Sequence, residues 1–399
     1  MGVRADRLLD DDLEGPLAEI QGLAKPVPGT VTGTGAAGFL LSPAVNDAFT
    51  ILNRVLKAGG EAYRLAAPMS ANGRAYPAGA FYVAAGAAAT PFVRKSAAEL
   101  GVNVDATDDR PARSATRLAI KRVALWDTPT GSMPSGWTRF LLERFEFPFT
   151  VVCGEGFDDA GLRAKYDVVV VPSGGGFRPP AGRGGDPAAA AAGAAGSGRG
   201  TVAAKVAPSS DPDLRSLCEV NTGTGIGSGA EASLRRFVEA GGVVIAAGSA
   251  AQSVAATLQL PVAEYLVDRQ PGQPDRPLGP DRFYVPGSVL RVAVDTAAPS
   301  AAGSTGHADV FFNNSPVFRL RPDAVTRGVR PVMWFDTPRA LRSGWAWGQN
   351  YLEGGIAAFE AAVGQGRAYL FGPEITFRAQ PHGTFKLVFN AIVRAGEQE

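Results

Sequence analysis

The run Asp167-Val-Val-Val-Val171 sets the tightest limit on what this chain can fold into. Four consecutive valines leave no polar face, so a strand built from them must be covered on both sides. Val243-Val-Ile-Ala-Ala247 has the same character, and Ile120 to Trp126 and Phe149-Thr-Val-Val-Cys153 read as further strands. Between them lie segments of helical spacing: Trp137 to Phe145, with Trp137, Phe140, Leu141 and Phe145 on one face, Asp158 to Lys165, Ala230 to Ala240, and Ser249 to Leu258. Apolar strands alternating with helices predict a parallel sheet covered on both faces, an α/β protein of Rossmann-like type.

The 399 residues suggest two or three domains. Residues 1–37 are polar and rich in Gly and Pro, an extended lead-in. Residues 38–115 form a small α/β domain: a strand at Phe39-Leu-Leu, a helix from Asn46 to Ala58 stopped by Gly59-Gly60, strands at Glu61–Leu65 and Ala80–Ala84, a turn at Asn72-Gly73, and a closing segment at 92–104. The main α/β domain spans 116–275. Its Pro-, Ala-, Gly- and Ser-rich stretch 178–210 is expected to be a disordered loop. Residues 276–345 turn period-two and aromatic (Phe283-Tyr-Val, Val289 to Val294, Val310-Phe-Phe, Val332-Met-Trp-Phe), an antiparallel β insertion. Residues 346–399 supply strands at Ile356–Ala361 and Arg367–Phe371 and an amphipathic helix Phe385–Arg394, all expected to return to the α/β sheet.

Formal net charge is +1, so no strong field exists to attract nucleic acid or an anionic membrane. Arg110, Arg113, Arg117, Lys121 and Arg122 cluster, and read as a solvated linker rather than an anion patch. The text after Met1 lacks the basic start and apolar core of a signal peptide, and no apolar run approaches the roughly 18–20 residues that cross a bilayer. A soluble chain without membrane contact is expected. Cys153 and Cys218 allow one disulfide; Cys153, ending a strand, reads as a buried core thiol.

Chemistry is limited by histidine, of which there are two, His307 and His382. A catalytic zinc ion takes three protein ligands and keeps an open water position. Two histidines with no Cys or carboxylate cluster cannot build that, so neither metal nor cofactor is expected. Ser173, in Val171-Pro-Ser-Gly-Gly-Gly176, lacks the small residue two positions earlier that a nucleophile elbow needs. Ser249, in Ala247-Gly-Ser-Ala-Ala251, fits a relaxed elbow and could use His382 as its base. Ser173, Gly174, Gly175, Ser249 and Gln252 are the candidates for lining a ligand cleft at the C-terminal ends of the strands, where open α/β sheets hold their ligands. The run from Gly223 to Gly229 reads as a loop and Asn313-Asn-Ser315 as a turn; Trp334, Trp345 and Trp347 read as core before a stacking platform.

Several segments taken in order resemble the region that follows the catalytic domain in bacterial zinc carboxypeptidase-like proteins of the carboxypeptidase A family. They are Ala48–Leu65 with Gly73-Arg-Ala-Tyr-Pro-Ala-Gly79, Gly136-Trp-Thr-Arg-Phe-Leu-Leu142, Phe237-Val-Glu-Ala-Gly-Gly242, Phe283-Tyr-Val-Pro-Gly-Ser288, Ser343-Gly-Trp345 and Phe377-Arg-Ala-Gln-Pro-His-Gly-Thr-Phe385. The family's zinc ligands and catalytic glutamate have no counterpart here. Members of the family are typically exported, which implies a periplasmic or extracellular site for a full-length relative. The middle unit also resembles a class I glutamine amidotransferase-like domain, with Gly248 in Gly248-Ser-Ala-Ala-Gln252 where that family has its nucleophilic Cys. Gly372, in Phe371-Gly-Pro-Glu374, stands where the family has its His, leaving Gln252 and Glu374 without partners. The resemblance implies an accessory, non-catalytic module whose partner is a metallocarboxypeptidase catalytic domain. A small-molecule or peptide binding protein is the second reading, and a hydrolase using Ser249 and His382 the third.

Overall fold

A computed structural model describes residues 21–23, 27–128, 131–153, 157, 161–175 and 229–397. The valine run is a strand, Val168–Val171, buried along its whole length. It pairs in parallel with Val123–Asp127 on one side and Val243–Ala247 on the other. Phe149–Cys153 adds in parallel outside Val123–Asp127, and Gly366–Phe371 adds in parallel outside Val243–Ala247. Successive side chains of a strand point to opposite faces. Val168 and Val170 accordingly enter one core with Leu141, Leu142, Phe385 and Phe389. Val169 and Val171 enter another with Leu234, Phe237 and Val254. Two cores on two faces are the physical reason the run has no polar position.

Past Gly366–Phe371 the sheet continues with antiparallel strands. Ile356–Val363 pairs with it through a tight hairpin, followed by Val329–Trp334, Pro286–Val294 and His307–Asn313. The aromatic region is therefore an extension of the same twelve-stranded sheet.

The N-terminal unit is a six-stranded sheet whose order is Val31–Thr32, Val104–Thr107, Gly38–Leu41, Phe81–Ala84, Ala62–Arg64 and Thr116–Arg117. Helices Asp47–Lys57 and Thr90–Leu100 cover it. Thr116–Arg117 pairs with Tyr63 and Arg64, so this strand belongs to the N-terminal sheet although it follows residue 115. The unit shares its core with the larger sheet. The Phe389 ring lies 5.3 Å from Phe49, 4.8 Å from Phe145 and 4.9 Å from Phe147.

Several expectations are corrected. The helix expected from Trp137 begins at Met133: Ser132 Oγ accepts from the Ser135 N–H, and Pro134 sits in the first turn. Its buried face is Ser135, Thr138, Leu141 and Leu142, which leaves Trp137 and Phe140 outside the core. The strand expected from Ile120 starts at Val123, because Arg122 turns its N–H and guanidinium onto Asp167. Phe283-Tyr-Val is not a strand; Tyr284 makes one isolated bridge with Trp347. The last helix, Phe385–Val393, is buried almost all round rather than amphipathic. Cys153 is half of a disulfide, not a free core thiol. Most of the lead-in, the loop 178–210, Cys218 and most of the Gly223–Gly229 run lie outside the described residues.

Candidate functional site

Three strand ends converge at the C-terminal edge of the parallel half. After Val243–Ala247 the chain turns sharply at Gly248 and enters the helix Ser249–Thr257. Gly248 has φ 61° and ψ −140°, a conformation that side-chain-bearing residues avoid. This is the strand-turn-helix geometry of a nucleophile elbow. A Cβ at Gly248 would lie 2.3 Å from Ser173 Oγ and 2.6 Å from Ser173 Cβ. The place a nucleophile would occupy is filled by the serine that follows the neighbouring strand. Ser249 Oγ accepts from the Gly174 N–H at 3.0 Å, which ties the two turns together.

Gly366–Phe371 ends in Gly372, where a Cβ would come within 2.0 Å of the Pro316 carbonyl oxygen. No side chain fits there. Glu374 follows, anchored by its N–H to Phe311 O at 3.0 Å. Burial pushes the Glu374 carboxyl above the ordinary glutamate range, and the Ser173 hydroxyl, which favours the charged form, opposes that only in part. Glu374 and Ser173 thus line the same cleft.

Ser173, Ala247 and Glu374 form the floor of a cleft of about 50 Å³. Its walls are Met133, Pro134 and Trp137 from the helix Met133–Arg144, and Thr376, Phe377 and Arg378 from the loop beyond Glu374. Thr138 Oγ1 and Thr376 Oγ1 hydrogen-bond at 3.2 Å and join the two walls. Arg378 and Ala379 both hold left-handed backbone, at φ 48° and 51°. The Arg378 guanidinium lies 5.1 Å above the Phe377 ring, which stacks on Phe311 at 3.5 Å. The lining offers two hydroxyls, one carboxyl, one guanidinium and an indole face. Such a set can hold a small polar group against an apolar wall, and among the described lining residues there is no thiol or imidazole.

The remaining candidates are dispersed. Gly175 packs beneath Trp126, leaving no room for a side chain. Gln252 lines a different, broader opening with Gln259, Leu260 and Arg327. His382 lines a third cleft with Asn46, Asp47, Phe140 and Arg144, its ring 4.8 Å from Phe385. Ser249 and His382 share no hydrogen bond or cleft. His307 Nε2 is 3.0 Å from Asp336 Oδ2. Among the described residues, no three His, Cys, Asp or Glu side chains come together as metal ligands, and no helix is long and apolar enough to cross a membrane. Asn313-Asn-Ser315 is a turn, with Asn314 at φ 43° and its side-chain oxygen accepting from the Val285 N–H. Trp345 and Trp347 are not core. Both are about half exposed, and Tyr284 lies 6.1 Å from Trp345. The basic cluster is partly engaged: Arg117 pairs with Glu61, and Arg122 with Asp167.

Reasoning from sequence missed Met133, Trp137, Thr376 and Arg378 as cleft residues. The available signal was Ser132-Met-Pro134, an N-cap serine followed by an early-turn proline, which places Met133 and Pro134 in the helix ahead of Trp137.

No family model matches this sequence, and no curated protein does. Solved structures with partial likeness include a ThuA-like protein from Bacteroides uniformis, at 9% identity and TM-score 0.37, covering 73% of this chain and 97% of that one. A cytoplasmic protein from Salmonella typhimurium matches at 12% identity and TM-score 0.34, covering 68% of this chain and 97% of that one. A β-galactosidase from Bacillus circulans matches at 9% identity and TM-score 0.33, covering 70% of this chain; this chain spans 31% of its length. Likeness of this extent carries no argument about activity.

Proposed function

We propose that the chain is a non-catalytic module, Rossmann-like and glutamine amidotransferase-like in its parallel half, with the antiparallel strands as an insertion. Its proposed role is to pack against, or hold substrate for, a zinc metallocarboxypeptidase catalytic domain. The observation that carries the non-catalytic reading is Gly248: the elbow is kept, the reactive side chain is missing, and Ser173 occupies its space. The choice of partner rests on the ordered sequence segments that resemble the carboxypeptidase-associated region. Support for a packing role comes from Met133, Trp137 and Phe140, which repeat at helical spacing and are 62%, 36% and 50% exposed. A second reading, a small-molecule or peptide binding protein, is favoured by the cleft over Ser173 and Glu374, since open α/β sheets hold ligands at this edge.

The test is an assay of purified protein, supplied with zinc, on a peptide with a free C-terminus and on glutamine. No turnover above buffer is expected. Turnover that disappears in Ser249→Ala or His382→Ala would restore the hydrolase reading and overturn this one. Mixing with a catalytic domain of the carboxypeptidase type then tests the partner: co-elution that Trp137→Asp weakens supports packing, and separate elution removes it.

A further inference from the structure

A second pocket, of about 400 Å³, opens where the antiparallel strands meet the start of the last helix. Arg291 comes from Pro286–Val294, His307 and Asp309 from His307–Asn313, and Arg342 from Leu341–Ser343. Lys386 and Gly383 come from the N-terminal end of the helix Phe385–Val393, and Gly303, Ser304 and Thr305 from a loop. It shares no lining residue with the cleft over Ser173.

Charge in this pocket is unbalanced. Among the described lining residues, three basic side chains, Arg291, Arg342 and Lys386, face one carboxylate, Asp309. Asp309 is 3.5 Å from Arg342 and stands opposite Arg291 in the strand register, one carboxylate charge against two guanidinium groups. Among the described residues neither Arg291 nor Lys386 has an ion-pair partner. Lys386 Nζ donates to Ala44 O at 2.7 Å and Gly303 O at 3.4 Å. An ammonium has three donors, so one remains for the pocket. Burial pushes the Lys386 amine below its ordinary range. The helix N-terminus adds positive potential on the same side.

We propose that this pocket binds a small organic oxyanion, a carboxylate or a phosphate, with Arg291 and Arg342 as guanidinium forks and Lys386 as the half-buried point charge. Planar guanidinium groups match the paired oxygens of both anions, and the volume suits a metabolite-sized ligand. The experiment is calorimetric titration of the full chain with inorganic phosphate and with succinate, ionic strength being held constant with sodium chloride. Saturable one-to-one binding of either probe, weakened about tenfold or more by Arg291→Gln, is expected. Phosphate alone binding marks a phosphate ligand, and succinate alone a carboxylate. Arg342→Gln serves as a second variant, since it lies on a different strand and is itself exposed. Failure of both probes to bind, or binding that neither arginine variant weakens, overturns the proposal.

Discussion

At Gly248 the backbone and a neighbouring side chain both exclude substitution, and the two effects can be separated. Gly248→Ala is expected to cost about 1–3 kcal/mol in backbone strain at φ 61°. Overlap with Ser173 adds about 1–3 kcal/mol more. Ser173→Gly removes only the second effect, so the double variant should be less destabilised than the sum of the singles. Urea denaturation of all four proteins measures this coupling, and strict additivity would mean that Ser173 does not fill the elbow. Glu374 gives a pH signature at the same site. Its carboxyl is raised in the folded protein, so the folded state holds its proton to higher pH than the unfolded chain does. Stability from this group is then full below the ordinary glutamate range, falls as pH rises through the raised value, and stays lower above it. Glu374→Gln should therefore be the more stable protein at neutral pH, with the advantage vanishing in acid. Equal pH slopes for the two proteins in urea unfolding would contradict the assigned burial.

At the scale of elements, Asp167 shows how one charged residue sets a strand end. It precedes Val168–Val171, and although burial opposes its ionisation, the Arg122 side chain and N–H and the Arg163 guanidinium hold its carboxyl well below the usual carboxylate range. Asp167→Asn should cost about 1–2 kcal/mol at neutral pH, the value for charged hydrogen bonds reduced for partial exposure. Because the folded value is depressed, this stability is present above the unfolded value and is lost as pH falls towards the folded one. Wild type and variant should converge in strong acid; a constant gap down to the lowest pH would refute the assignment. Elements of this kind were the readable part of the sequence. Val168–Val171 and Val243–Ala247 announce themselves because burial on two faces removes every polar position. The cleft was less readable because its walls come from two elements far apart in sequence, the helix Met133–Arg144 and the loop beyond Glu374. The spacing groups Trp137 on one face with Leu141 and Phe145, which are buried, whereas Trp137 itself walls the cleft. Trp345 and Trp347 misled in the same direction, since composition cannot tell an exposed aromatic from a buried one.

At the scale of the whole molecule, the two sheets are joined by aromatic packing and by ion pairs, among them Arg54 with Glu146 at 2.8 Å. Phe389 contacts Phe49 of the small unit and Phe145 and Phe147 of the large one. Near the C-terminus, Glu397 accepts from Arg64 Nε at 2.8 Å while also bonding Arg394, so the end of the chain is clamped to the small sheet. Asn53 adds a buried bond to Phe145 O at 2.9 Å. A continuous core of this kind should make the sheets unfold together, although a chain of this length would ordinarily be free to divide. Phe389→Ala removes a fully buried ring and should cost about 3–5 kcal/mol. Hydrogen exchange followed by mass spectrometry on peptides spanning 38–41 and 168–171 reads the two sheets separately. In one cooperative unit, both peptides lose protection by the same factor in the variant. Loss confined to 38–41, with 168–171 unchanged, would show that the small sheet is a separate folding unit resting on the larger one.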